Sequence, residues 1–106
     1  MSVIRTVACV LGLAGLCAQP ATAQDAAALY QRAAAATCAN CHGTDGRTVS
    51  GSTIPALAGM PKAYMVSQLR AFRDGTRSAT VMHQLAKGLT EQQIEAVADY
   101  FAATKR

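Results

Sequence analysis

Tryptophan is absent from this chain of 106 residues, and three Tyr and two Phe supply all its aromatic surface. So small a complement offers no platform of rings interleaved with basic side chains, which argues against nucleic acid as a partner. It also leaves too little aromatic volume to fill a substantial core unaided. No convincing strand pattern occurs anywhere, which removes the βαβ setting that a thioredoxin-like Cys-x-x-Cys pair requires. Only two histidines are present, and no set of nucleophile, base and orienting acid suggests covalent or acid–base catalysis. Internal repeats are lacking as well.

What is there begins with a leader. Arg5 precedes an apolar run from Val7 to Ala18, and Ala21-Thr22-Ala23 follows before Gln24. This pattern predicts a secretory signal peptide over residues 1–23 with an A-x-A cleavage site. The run is well short of the roughly 20 apolar residues needed to span a bilayer, so no transmembrane anchor is expected. Leu16 is bulky where lipid attachment to Cys17 would want a small residue. Cleavage would remove Cys9 and Cys17, leaving Cys38 and Cys41 as the remaining thiols and no structural disulfide. The domain over 24–106 is therefore expected to be exported, and periplasmic in a bacterium.

Three main helices can be read from periodicity. The first is expected from about Asp25 to Ala36, with Leu29, Ala33 and Ala36 on one face. The second starts near Pro61, a residue suited to the first helical position, and stops at Asp74 before Gly75. Its stripe is Met65, Leu69 and Phe72. Thr90 and Gln93 form a capping box for the third, which carries Ile94, Val97, Ala98 and Phe101 at core spacing. Gly43 to Gly59 and Asp74 to Gly88 are expected as loops, long enough to wrap a ligand.

The chemistry is concentrated in Cys38-Ala39-Asn40-Cys41-His42, because C-x-x-C-H is the arrangement that attaches haem covalently. Two thiols three positions apart on a helical turn can each add to a vinyl group of one porphyrin, and the next residue then lies under the iron. A single haem c bound through Cys38 and Cys41 is predicted, with His42 as proximal ligand. A zinc site would need two more ligands beside the thiols, and only His42 and His83 are left to serve. A domain this small is marginal without a staple, and the porphyrin would be that staple. The apoprotein is accordingly expected to be largely unfolded. Without Arg5, nine basic residues face six acidic ones, and two propionates would reduce that excess further.

For the sixth ligand the chain offers Met60, Met65, Met82 and His83. Met65 belongs to the apolar stripe, and Met60 follows His42 too closely to reach the opposite haem face. Met82, in the irregular stretch between the last two helices, is the expected ligand. His83 beside it should point elsewhere and be solvated. Met/His ligation raises the reduction potential and closes both axial positions. If Met82 did not bind, the alternative would be an open-site haem that binds gas or activates peroxide. On the proximal side, the Pro55 carbonyl is the expected acceptor for the other ring N–H of His42, which would fix its tautomer.

The run Cys38-x-x-Cys41-His42-Gly43-x-Asp45-Gly46, then Ile54-Pro55-x-Leu57-Ala58-Gly59, Tyr64, Gln68-Leu69, Phe72, Gly75-x-Arg77 and Met82 resembles the class I cytochromes c. It is similar both to one haem domain of periplasmic dihaem cytochromes and to the haem subunit of flavocytochrome c sulfide dehydrogenases. The resemblance implies a small all-α fold around one covalent haem, with Cys38, Cys41, His42 and Met82 in the family roles and Tyr64 and Arg77 as propionate contacts. It implies an electron carrier rather than a catalyst, acting with redox partner proteins, a flavoprotein sulfide dehydrogenase subunit among them. One C-x-x-C-H means that the second haem of the dihaem proteins is absent, and Met60 stands where glutamine often follows Leu-Ala-Gly. Lys62, Arg70, Arg73, Arg77 and Lys87 are candidates for a basic rim that attracts an acidic partner.

Overall fold

The computed structural model describes residue 20 and residues 22–106. Most of the expected leader, including its apolar run, lies outside these residues. The elements in order are α1 (Ala23–Ala36), α2 (Ala39–His42), a 3-10 turn (Thr44–Gly46), α3 (Lys62–Asp74), α4 (Met82–Lys87) and α5 (Glu91–Ala103). No strand occurs among the described residues.

The helices start where side chains satisfy free backbone N–H groups. Thr22 Oγ1 accepts from the Asp25 N–H at 3.3 Å and Asp25 Oδ2 accepts from the Thr22 N–H at 3.0 Å, so α1 begins two residues before the expected Asp25. These bonds hold the Asp25 carboxyl below its ordinary value. Thr90 and Gln93 make the reciprocal pair at α5, at 3.2 and 2.9 Å. Pro61 sits one place earlier than expected, as the residue capping α3, and Gly75 ends that helix in the left-handed conformation with φ 79°.

The core lies where α1 and α3 pack against α5. Ile94, Val97, Ala98 and Phe101 of α5 are buried, along with Met65, Val66 and Leu69 of α3. Helix α1 departs from its expected face. Ala35 is buried, with Ala34 and Cys38 packed on the core, whereas Leu29 is 69% exposed and Ala33 and Ala36 face outward. A helix so rich in alanine has no contrast between its sides, so its rotation is decided by the helix it lies on.

Two further differences concern the segment after α3 and the charged face of α3 itself, the segment first. Its end is helical rather than irregular: α4 packs on α3 and buries Ala86 completely. Six residues without a side-chain cap are too short to show a period. The expected basic rim is also largely consumed. Lys62 pairs with Glu95 at 3.1 Å and Asp99 at 2.8 Å, Arg70 with Glu91 and Glu95, and Arg73 with Glu91 at 3.0 Å. Positive side chains of α3 thus meet the acidic stripe of α5 along the seam between them. Each such exposed pair contributes little to stability, but it removes the charge from a docking role.

Candidate haem site

Cys38 caps α2 and Cys41 lies on its single turn, so both thiols and His42 come from one short helical segment. Cys38 is partly buried and Cys41 exposed, and neither is in a disulfide. Burial pushes the Cys38 thiol up, a bond with Thr37 opposing the shift. His42 is buried at 8% exposure, and its Nδ1 lies 2.7 Å from the Pro55 carbonyl oxygen. A carbonyl can only accept, so Nδ1 carries the proton, and the tautomer compatible with this bond has its lone pair at Nε2. A buried imidazole held by one nitrogen, with the other free to donate an electron pair, is arranged as a metal ligand.

The turn after His42 is tight. Gly43 and Gly46 have φ 79° and 72°, and Asp45 between them has φ 54°. The Gly46 carbonyl accepts from Leu57 N–H at 2.8 Å and Ala58 N–H at 3.2 Å, closing the loop that contains Pro55. Gly59 N–H donates to the Phe101 carbonyl at 2.8 Å. Tyr100 Oη donates to Asp45 Oδ1 at 2.5 Å, and Arg47 donates to Asp45 at 3.3 Å and to the Lys105 carbonyl at 2.7 Å. The bond to Asp45, helped by burial, pushes the Tyr100 hydroxyl up. Asp45 and Tyr100 were not legible as partners, because nothing in spacing links a turn residue to a side chain near the end of the last helix.

Met82 is the first residue of α4, half-buried and packed against the core cluster that also receives Cys38, Leu57 and Met60. Met65 is buried in that cluster, in the packing role expected of it. His83 departs from expectation: its Nδ1 is buried without a hydrogen-bond partner rather than solvated. Tyr64 is half exposed on α3. Arg77 hydrogen-bonds Gln68 and lies 4.5 Å over the Phe72 ring, so its guanidinium is held against α3. Grooves beside α1 and between α3 and α5 are lined by none of these site residues. Among the described residues, no three His, Cys, Asp or Glu side chains form a metal cluster.

The cytochrome c family profile matches residues 23–105, and the chain belongs to that family. It is 45% identical over 64 residues to the cytochrome subunit of sulfide dehydrogenase of Chlorobaculum tepidum, covering 60% of this chain and 56% of that protein. It is 42% identical over 71 residues to the thiosulfate dehydrogenase electron acceptor of Thiomonas intermedia, covering 67% and 33%. A solved cytochrome c4 of Acidithiobacillus ferrooxidans has TM-score 0.64 and 33% identity, covering 73% of this chain and 49% of that one. The chain thus spans about a third to just over half of these proteins. The fold is that of a class I cytochrome c, and the family's covalent haem c fits the donor set here: two free thiols on one turn, then a histidine with a free electron pair.

Proposed function

We propose that this chain is a one-electron carrier of the periplasm. Cys38 and Cys41 would tether its haem c, and His42 and Met82 would supply the protein ligands to its iron. Its partner is an oxidoreductase of inorganic sulfur compounds, a flavoprotein sulfide dehydrogenase subunit first among them. The observation that carries the reading is the 2.7 Å bond from His42 Nδ1 to the Pro55 carbonyl. It leaves Nε2 as the donor atom directly after the two thiols. When bound, the haem supplies a reversible one-electron change at iron.

The chain's own residues do the rest. The α2 turn sets thiols and imidazole in register, the Pro55 carbonyl holds the proton at Nδ1, and α4 carries Met82 on the core. Arg77 and Tyr64 are the candidates to meet the propionates. Two of the three relatives are by name a sulfide dehydrogenase subunit and a thiosulfate dehydrogenase electron acceptor, which supports the partner class. No helix among the described residues is long and apolar enough to cross a membrane. The leader pattern at 1–23 supports export of the domain.

The test is the optical spectrum of the reduced holoprotein before and after carbon monoxide. An unchanged spectrum is expected, because Met82 closes the iron. A marked shift would refute the Met82 assignment and favour gas binding or peroxide activation. Electron uptake from a flavoprotein sulfide dehydrogenase, measured by stopped flow, tests the partner. No reduction by it would refute that part.

A further inference from the structure

Two consecutive residues of α5 hold both ends of the loop that carries the Pro55 carbonyl. At the first end, the Tyr100 hydroxyl binds Asp45 at 2.5 Å. At the second, the Phe101 carbonyl accepts from Gly59 N–H at 2.8 Å. Between them, the Gly46 carbonyl is bonded to Leu57 and Ala58, so the residue next to Asp45 fixes the backbone two places after Pro55. Asp45 has φ 54°, a left-handed conformation that Asp and Asn adopt more readily than other L-residues. Its carboxylate accepts from Tyr100 at 2.5 Å and from Arg47 at 3.3 Å.

From this brace we infer that Tyr100, acting through Asp45, is a positioning residue for His42. It places the Pro55 carbonyl to take the Nδ1 proton at short range, and so sets how strongly Nε2 donates to iron. The inference rests on His42 being the iron ligand. At 2.7 Å the Nδ1–carbonyl bond is at the short end for N–H···O, and such partners tune ligand basicity. Loosening the loop lengthens that bond, makes the imidazole a poorer donor and favours the ferrous state. Ring packing is a separate matter, because Tyr100 also meets Phe101 edge-on at 5.3 Å. Tyr100→Phe keeps that contact and removes only the hydroxyl.

The experiment compares wild-type holoprotein with Tyr100→Phe, measuring midpoint potential and, by NMR, solvent exchange of the His42 Nδ1 proton. Ile94→Val, which thins the core of the same helix away from the loop, is the control for lost stability. The expected result is a more positive potential and at least tenfold faster exchange in Tyr100→Phe, with Ile94→Val near wild type in both. Asp45→Asn, which tolerates the left-handed turn but accepts more weakly, should speed exchange in the same direction and serves if Tyr100→Phe does not fold. Wild-type potential and exchange in Tyr100→Phe, or in Asp45→Asn if that variant has to serve, would overturn the inference. Equal shifts in Ile94→Val would overturn it too, by making stability the cause. A wild-type spectrum without histidine-ligated low-spin haem would instead refute the ligand assignment, and this inference with it.

Discussion

Gly46 is the position where a single methyl group should do most damage to the haem-side loop. A Cβ built there would lie 2.8 Å from Cε1 of Phe101, 2.9 Å from the Ala58 nitrogen and 2.9 Å from Cβ of Leu57. None of these can yield cheaply: Phe101 is 1% exposed, and the Ala58 nitrogen is backbone bonded to the Gly46 carbonyl itself. The left-handed φ of 72° adds about 1–2 kcal/mol for any L-residue, and overpacking typically adds about 1–3 kcal/mol. Gly46→Ala should therefore cost about 2–5 kcal/mol, a large share of the 5–15 kcal/mol typical of a whole domain. Urea unfolding of the holoprotein, followed by haem absorbance, would measure it, with the slope m unchanged and the midpoint lowered. A loss below about 1 kcal/mol would refute the reasoning, since overpacking alone should exceed it.

Replacing Met82 with Ala should open the iron, so that the reduced protein binds carbon monoxide and its potential falls; a variant spectrum indifferent to carbon monoxide would remove Met82 from the ligand set. Thr90→Ala leaves the Gln93 N–H without its 3.2 Å acceptor and should cost about 1 kcal/mol, or about 4–8 °C in melting temperature. No change in melting would mean that water replaces the cap. Arg70 and Arg73 hold the Glu91 carboxyl below its ordinary value of 4.5. A depressed carboxylate stabilises the fold fully above the unfolded value and loses that contribution as pH falls through the folded one. Stability should therefore drop as pH falls below about 4.5, and Glu91→Gln should flatten that part of the profile. An identical acid profile in Glu91→Gln would show the pair to be energetically silent.

Much of the local structure was legible because it is chemistry between near neighbours. The Thr90–Gln93 box, the Gly75 stop and the stripe from Ile94 to Phe101 depend on spacings within a turn or two. C-x-x-C-H is legible for the same reason, since both thiols and the imidazole share one helical turn. Pro55, 13 residues after His42, was expected from the sequence as the acceptor. Even there, the 2.7 Å approach is a property of the folded loop.

Where distant segments meet, the sequence was silent or pointed elsewhere. The rotation of α1 was misread because alanine on every side gives no hydrophobic contrast, and α5 chose the buried face. The basic side chains of α3 looked free until α5 brought Glu91, Glu95 and Asp99 against them. Helix α4 is too short to show a period and exists by packing on α3. Asp45 and Tyr100 form a bond only because the end of α5 lies over the turn after His42. The amino-acid sequence by itself thus determined the three long helices and the C-x-x-C-H constellation, both written in short-range spacing. Tertiary packing alone decided helix rotation, charge neutralisation and the brace behind His42, because each depends on contacts between residues far apart in the chain.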